Sequence, residues 1–216
     1  MTKPEIIGSV RSTYTRVVRM VCEEKGIEHV LTETMLRSPE LAAIHPLAKM
    51  PVLRHGEVEL FESKAIATYL DRSFPGPQLI PSEPHLAALT EQWVSLVNTA
   101  MDRTLIRTYL FAYIAPKTAD GKPDRAAIDA VMPMVREQLG ILDRAVAATG
   151  YLAGDRFTFA DINLLPILHR VGQAPEGAGA LAAAPHLSAY YERHAARPSF
   201  ASTMPPVGPP GRTRAS

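Results

Sequence analysis

The stretch from His45 to Ile66, HPLAKMPVLRHGEVELFESKAI, constrains the fold more than any other. Met50-Pro51-Val52-Leu53 is a short apolar run opened by a proline. His55-Gly56 is a turn signal, and Val58, Leu60 and Phe61 make a second apolar run that ends at Glu62-Ser63. Lys64 to Leu70 then takes a helical period with Ile66, Tyr69 and Leu70 on one face. The reading is strand, tight turn, strand, helix. Pro51 withholds a backbone donor, which a sheet accepts only at an edge or a strand start. Ser63 stands at a helix start, where orphan N–H groups collect and an anion is welcome.

The residues before this stretch supply a sheet for it. Glu5–Gly8 is a strand candidate, followed by a polar turn, Ser9 to Thr13. From Tyr14 to Lys25, Val17, Val18, Val21 and Cys22 recur at helical spacing, and Gly26 is a natural helix-ending residue. Glu28 to Thr34 alternates as a second strand. Ser38-Pro39-Glu40 opens a short helix through Ile44, with Pro39 in its favoured first turn. The order β-α-β-α-β-β-α predicts a small α/β sheet domain over residues 1–75.

A proline-rich linker, 76–84, follows, and everything after it reads as helical. One long helix is expected from His85 to about Ala115, then a polar loop, then a helix from Arg125 to Ala148 kinked or broken at Pro133. Thr158-Phe159-Ala160-Asp161 has capping-box spacing before an apolar helix through His169. A shorter helix is expected from Pro185 to Arg197. The helical domain spans 85–204, and 205–216, rich in proline, glycine and basic groups, reads as a loose tail.

Composition narrows the function classes. Lys+Arg 23 against Asp+Glu 22 leaves a net charge of +1, so nothing in the charge balance argues for a nucleic-acid partner. The single cysteine, Cys22, permits no intrachain disulfide and fits a reducing compartment. The N-terminal MTKPEIIGSV lacks the apolar run of a signal peptide, and no stretch approaches a membrane span, so a cytoplasmic protein is expected. The histidines form no metal-ligand spacing with Cys22, and no metal is expected.

Three segments in order carry a resemblance to the cytosolic glutathione S-transferase family. His45-Pro46-Leu47-Ala48-Lys49-Met50-Pro51-Val52-Leu53 is similar to its N-P-x-G-K/Q-V-P-x-L stretch. Leu60-Phe61-Glu62-Ser63-Lys64-Ala65-Ile66 is similar to L-x-E-S-x-A-I, and Gly154 to Asp161 to its G-x-x-x-S/T-x-A-D capping box. The resemblance implies a thioredoxin-like α/β N-terminal domain, an all-α C-terminal domain, a homodimer, and glutathione as co-substrate. His45 stands where the family has Asn and Ala48 where it has Gly, so the loop before Pro51 is expected to differ in detail.

The resemblance also implies roles. Pro51 would be cis and turn the Met50 backbone outward to pair with the cysteinyl part of glutathione. Ser63 would hold the γ-glutamyl carboxylate and Glu62 would face its ammonium, although both also suit a plain helix cap. Lys49, helped by Arg37, would reach the glycyl carboxylate; each alone is an ordinary surface charge. Arg11-Ser12-Thr13-Tyr14-Thr15-Arg16 aligns with the serine-type classes (phi, theta, zeta), so this reads as a serine-type bacterial member with Ser12 activating the thiol. Ser9, Thr13 and Tyr14 are the alternatives, and Ser12 also suits an N-cap. Cys22 belongs to an apolar stripe and reads as structural. Met101, Arg103, Tyr109, Tyr113 and Pro116 lie on or after the helix that flanks the family's electrophile pocket, and core packing suits each as well. The expected activity is glutathione transfer to a small hydrophobic electrophile or a peroxide, a detoxification chemistry. A glutathione-binding scaffold and a glutathione-dependent isomerase or dehalogenase are the rivals.

Overall fold

The computed structural model describes residues 2–115 and 118–206. Pro116, and the expected tail from residue 207 onward, lie outside the described residues.

The first half is a four-stranded mixed sheet in the order β2-β1-β3-β4, from Glu5–Gly8 (β1), Val30–Glu33 (β2), Val52–His55 (β3) and Val58–Phe61 (β4). β1 and β2 run parallel, while β3 is antiparallel to both β1 and β4. The crossover between β1 and β2 is α1 (Thr13–Lys25), which places Val17, Val18, Val21 and Cys22 in the core and ends on Gly26 at φ 67°. The short helix α2 (Pro39–Ile44) is capped by Ser38, and α3 (Ser63–Ser73) follows β4. This thioredoxin-like arrangement is the one the β-α-β-α-β-β-α order predicts. β3 starts two residues later than the apolar run suggests, because Met50 and Pro51 lie outside the ladder.

The second half is helical: α4 (Pro84–Leu96), a π-helical segment (Val97–Leu110), α5 (Phe111–Ile114), α6 (Arg125–Val146), α7 (Phe159–Gly172), α8 (Pro175–Ala182), α9 (Pro185–Ala195) and α10 (Pro198–Ser202). The long helix expected from His85 to Ala115 is therefore a composite. Its middle is wound in the wider π register, in which side chains five apart share a face. Two bonds use that spacing: Arg107 Nε pairs with Asp102 Oδ2 at 3.0 Å, and Thr108 Oγ1 donates to the Arg103 carbonyl at 2.9 Å. Pro133 does not break α6, which runs through it without interruption. The helices α8 and α10 were not anticipated; alanine and small residues give them little hydrophobic period.

One core cluster joins the halves. It runs from Ile6 and Leu53 through α1 to Val97, Leu105, Leu142, Ile162 and Leu168. Between α3 and α4 the chain is fastened by a buried ion pair, Lys25 to Asp71 at 3.0 Å, whose carboxylate also accepts the N–H groups of Leu79 (2.9 Å) and Ile80 (3.0 Å).

The capping box is present at the start of α7, the most deeply buried helix. Asp161 is fully buried and accepts from Thr158 N (2.8 Å), Thr158 Oγ1 (3.2 Å), Leu152 N (2.9 Å) and Tyr190 Oη (3.0 Å). Burial pushes its carboxyl above the usual carboxylate range, against the hydrogen bonds that favour the ionised form.

Candidate functional site

Sheet register gathers the candidate residues at one end of the sheet. Val52 lies opposite Ile7 on β1 and opposite Phe61 on β4. One residue further in each direction stand Gly8, Pro51 and Glu62. The turn carrying Ser12, the Met50–Pro51 peptide and the start of α3 therefore share that end. Gly8 is required there, since a Cβ would strike the Thr15 side chain on the first turn of α1. The Met50–Pro51 peptide is cis, and Met50 packs against the small cluster of Ile7, Leu41 and Val52.

The loop before Pro51 shows how the two departures from the family pattern are absorbed. His45 is buried, its Nδ1 accepts the Leu47 N–H at 3.0 Å, and its ring lies 4.8 Å from that of Phe61. A ring nitrogen thus does the turn-closing work of a side-chain amide oxygen. Ala48 sits at φ 47°, a left-handed conformation in which glycine would be unstrained. Arg37 is also left-handed, at φ 64°, and its N–H donates to the Ala48 carbonyl at 3.1 Å. That bond brings Arg37 beside Lys49, and both side chains are exposed.

The start of α3 departs from the plain-cap alternative. Glu62 occupies the N-cap position at φ 67°, ψ 115°, and no side chain caps the helix. Ser63 is 6% exposed, while the Glu62 carboxylate faces solvent. The first N–H groups of α3 and the positive end of its dipole are left without an internal acceptor from a side chain, next to a buried hydroxyl. An anionic group fits that provision.

At α1 the cap is made. Ser12 Oγ accepts the Thr15 N–H at 3.3 Å, and the Ser12 N–H donates to the Ser9 carbonyl at 3.0 Å. A hydroxyl has two acceptor lone pairs and one proton. Capping uses an acceptor, so the proton remains available to donate. Of the alternatives, Ser9 Oγ accepts the Arg11 N–H at 3.2 Å and so shapes the turn. Thr13 is the first residue of α1. Tyr14 turns its hydroxyl toward the Asp102 carboxylate of the π segment without completing a hydrogen bond; burial, then that carboxylate, pushes its phenol far up. Cys22 is fully buried and its thiol is pushed up to about 12 by burial, which removes it from thiolate chemistry.

Residues the sequence did not single out also reach this end. Arg170, in the last turn of α7, donates from Nη2 to the Arg11 carbonyl at 2.7 Å. Its spacing within α7 gives no hint of that contact, which is set by how α7 crosses α1. Tyr109 and Tyr113 are structural: Tyr109 Oη accepts the Gly177 N–H at 2.7 Å, and Tyr113 is bonded to Glu176, which pairs with Arg125. Met101 is buried in the core, and Arg103 is exposed. Among the described residues no group of three or more His, Cys, Asp or Glu is placed to hold a metal ion, and no helix is long and apolar enough to cross a membrane.

Comparison with known proteins gives this geometry a lineage. Residues 6–78 match the family model described as glutathione S-transferase, N-terminal domain, and residues 87–198 match the C-terminal domain model. Glutathione S-transferase 3 of Zea mays is 32% identical over 204 residues, covering 89% of this chain and 90% of the relative. The crystal structure of glutathione transferase F7 from Populus trichocarpa superposes with a TM-score of 0.85 at 26% identity, covering 93% of this chain and 97% of that one. A theta class glutathione S-transferase from the citrus canker pathogen Xanthomonas axonopodis pv. citri, solved with glutathione bound, gives 0.79 at 27% identity over 94% of this chain and 98% of that one. The chain belongs to the glutathione S-transferase family.

Proposed function

We propose that the chain is a serine-type glutathione transferase, phi-, theta- or zeta-like, working in the cytoplasm as a homodimer. The sheet half, residues 1–75, binds glutathione as co-substrate. The helical half, 85–204, borders the site of a small hydrophobic electrophile or a peroxide. Ser63 and the open N-terminus of α3 take the γ-glutamyl carboxylate, and Glu62 takes its ammonium. The Met50 backbone, beside cis Pro51, pairs with the cysteinyl backbone. Lys49 and Arg37 take the glycyl carboxylate.

Ser12 donates its hydroxyl proton as a hydrogen bond to the glutathione sulfur. A free thiol ionises near pH 8.5, and lowering that by one unit requires about 1.4 kcal/mol of preference for the thiolate. A charge-assisted hydrogen bond together with the N-terminus of α1 is of that size. The thiol proton leaves to water, and the thiolate attacks the electrophile held beside it. Orientation and electrostatic stabilisation then supply the acceleration.

The observation that carries this reading is the helix start at Ser63, left uncapped at the sheet end where Ser12 keeps a proton to donate. The test is Ser12→Ala. Turnover with a generic aryl halide is expected to fall about 10- to 100-fold, or roughly 1.4–2.7 kcal/mol, with retention on immobilised glutathione preserved. Unchanged turnover moves the activating role to Ser9, Thr13 or Tyr14. Retention of the wild type without activity would favour a glutathione-binding scaffold, and absence of both would favour a scaffold that does not bind glutathione.

A further inference from the structure

We propose that Arg170 is a positioning residue for thiol activation, holding the Ser12 turn from the helical half of the molecule. The inference rests on the reading of Ser12 as the thiol-activating group.

The peptide unit between Arg11 and Ser12 is gripped on both sides. Its carbonyl, that of Arg11, accepts from Arg170 Nη2 at 2.7 Å. Its N–H, that of Ser12, donates to the Ser9 carbonyl at 3.0 Å. A peptide is planar, so fixing both of its polar groups fixes its plane. That plane sets where the Ser12 side chain leaves the backbone. The cap on Thr15 N then holds the Ser12 oxygen in place, while its proton turns about the C–O bond toward an acceptor. The turn is also tied to β2, where the Val10 N–H donates to Glu33 Oε1 at 3.1 Å, but the Arg170 bond grips the peptide that carries Ser12 itself.

Arg170 is itself held. Its Nη1 donates to Gln173 Oε1 at 3.1 Å, Gln173 Nε2 meets His169 Nε2 at 3.1 Å, and His169 Nδ1 meets Tyr191 Oη at 3.0 Å. This relay ties the end of α7 to α9, and the start of α7 is locked by the buried Asp161. Arg170 makes no ion pair among the described residues. Burial and then the like charge of nearby Arg11 lower its pKa. A charged donor on a backbone carbonyl is also stronger than a neutral one. Burial holds His169 near pKa 4, so it stays neutral around pH 6–8 and does not confuse a titration of the thiol there.

The experiment titrates bound glutathione by its thiolate absorbance in the wild type, Arg170→Met, Arg170→Lys, Ser12→Ala and the double variant Ser12→Ala/Arg170→Met, alongside kcat and KM. Arg170→Met is expected to raise the apparent thiol pKa by about half to one unit, and below that pKa to lower kcat about 3- to 10-fold. The KM for glutathione stays within about twofold, because the carboxylate-binding groups lie elsewhere. Arg170→Lys recovers part of the shift, and Arg170→Met adds little once Ser12 is Ala. Arg125→Gln, which cuts an ion pair in the helical half, is the control and leaves the thiol titration unchanged. The proposal is overturned if Ser12→Ala raises the thiol pKa while folded Arg170→Met and Arg170→Lys do not. If Ser12→Ala itself leaves the thiol pKa unmoved, the Ser12 reading fails first, and Arg170 loses its role with it.

Discussion

The helix start at Thr158 and the helix start at Glu62 have the same need and opposite provision. Each begins with N–H groups that no helical carbonyl reaches. At α7 the need is met from within: the Phe159 N–H donates to the Leu79 carbonyl at 2.8 Å, the capping box closes between Thr158 and Asp161, and four donors converge on the wholly buried Asp161 carboxylate. At α3 it is not. Glu62 stands in a left-handed conformation with its carboxylate in solvent, and no side chain caps the helix. The first start is finished by folding, and the second is the one proposed to take a carboxylate. α1 falls between them, because Ser12 caps its helix and still has a proton to give.

Substitutions at the two starts separate these purposes. The largest effect is expected from Asp161→Ala, which strands Leu152 N, Thr158 N and the Tyr190 hydroxyl in the core. Urea denaturation is expected to show a loss of about 3–5 kcal/mol in stability, with glutathione affinity unchanged in whatever remains folded. Ser63→Ala is the mirror case. Affinity for glutathione by calorimetry falls about 10-fold, or roughly 1.4 kcal/mol, and stability moves by less than about 0.5 kcal/mol. Equal stability losses at the two positions would erase the distinction.

A pH scan sharpens the contrast from the finished side. His194 is 2% exposed and packs on Tyr190, which bonds to Asp161. Burial holds its pKa down to about 4. The folded value lies below the unfolded value near 6.5, so the unfolded chain takes up the proton first. Stability is complete above about pH 6.5 and declines as pH falls toward 4. The melting temperature is expected to drop by on the order of 5 °C across that window, and less in His194→Gln. The smallest effect lies on the open side. Ala48→Gly relieves the φ of 47° and is expected to raise stability by about 0.5–1 kcal/mol by thermal melt, with glutathione affinity retained.

The same two starts show what a sequence can reveal. Thr158 and Asp161 were legible as a capping box because the motif is local: three residues of spacing define it, and its chemistry closes within one turn. The sheet order was legible for a similar reason, since hydrophobic period and turn residues act over short range. The open start at Glu62 was legible only in part. Ser63 stands out as a helix start that welcomes an anion, but Glu-Ser suits an ordinary cap as well, and only the left-handed backbone of Glu62 shows that no cap is made. Ala48 and Arg37 are left-handed for the same nonlocal reason, with no glycine to announce it. The π segment was hidden because its apolar residues also fit an α-helical stripe; the spacing of Asp102 to Arg107 is informative only once both are seen to bond. Pro133 argues for a kink or a break, and of the two the break is absent: α6 continues through it.

The contacts of α1 bear on how the chain can be made. Arg16, 3% exposed, donates to Thr203 Oγ1 and the Phe200 carbonyl and lies 4.0 Å over the Phe200 ring. Glu24 is held by Arg197 and Ser199. The first helix is thus sheathed by residues that leave the ribosome about 180 positions later. Domains usually fold in the order of synthesis, but here the leading domain emerges with the Arg16 guanidinium and the Glu24 carboxylate still without these partners. The proline-rich linker divides the chain into two architectures without dividing it into two folding units. A fragment ending at Glu83 is expected to stay partly unfolded and to bind chaperones, whereas the full chain does not.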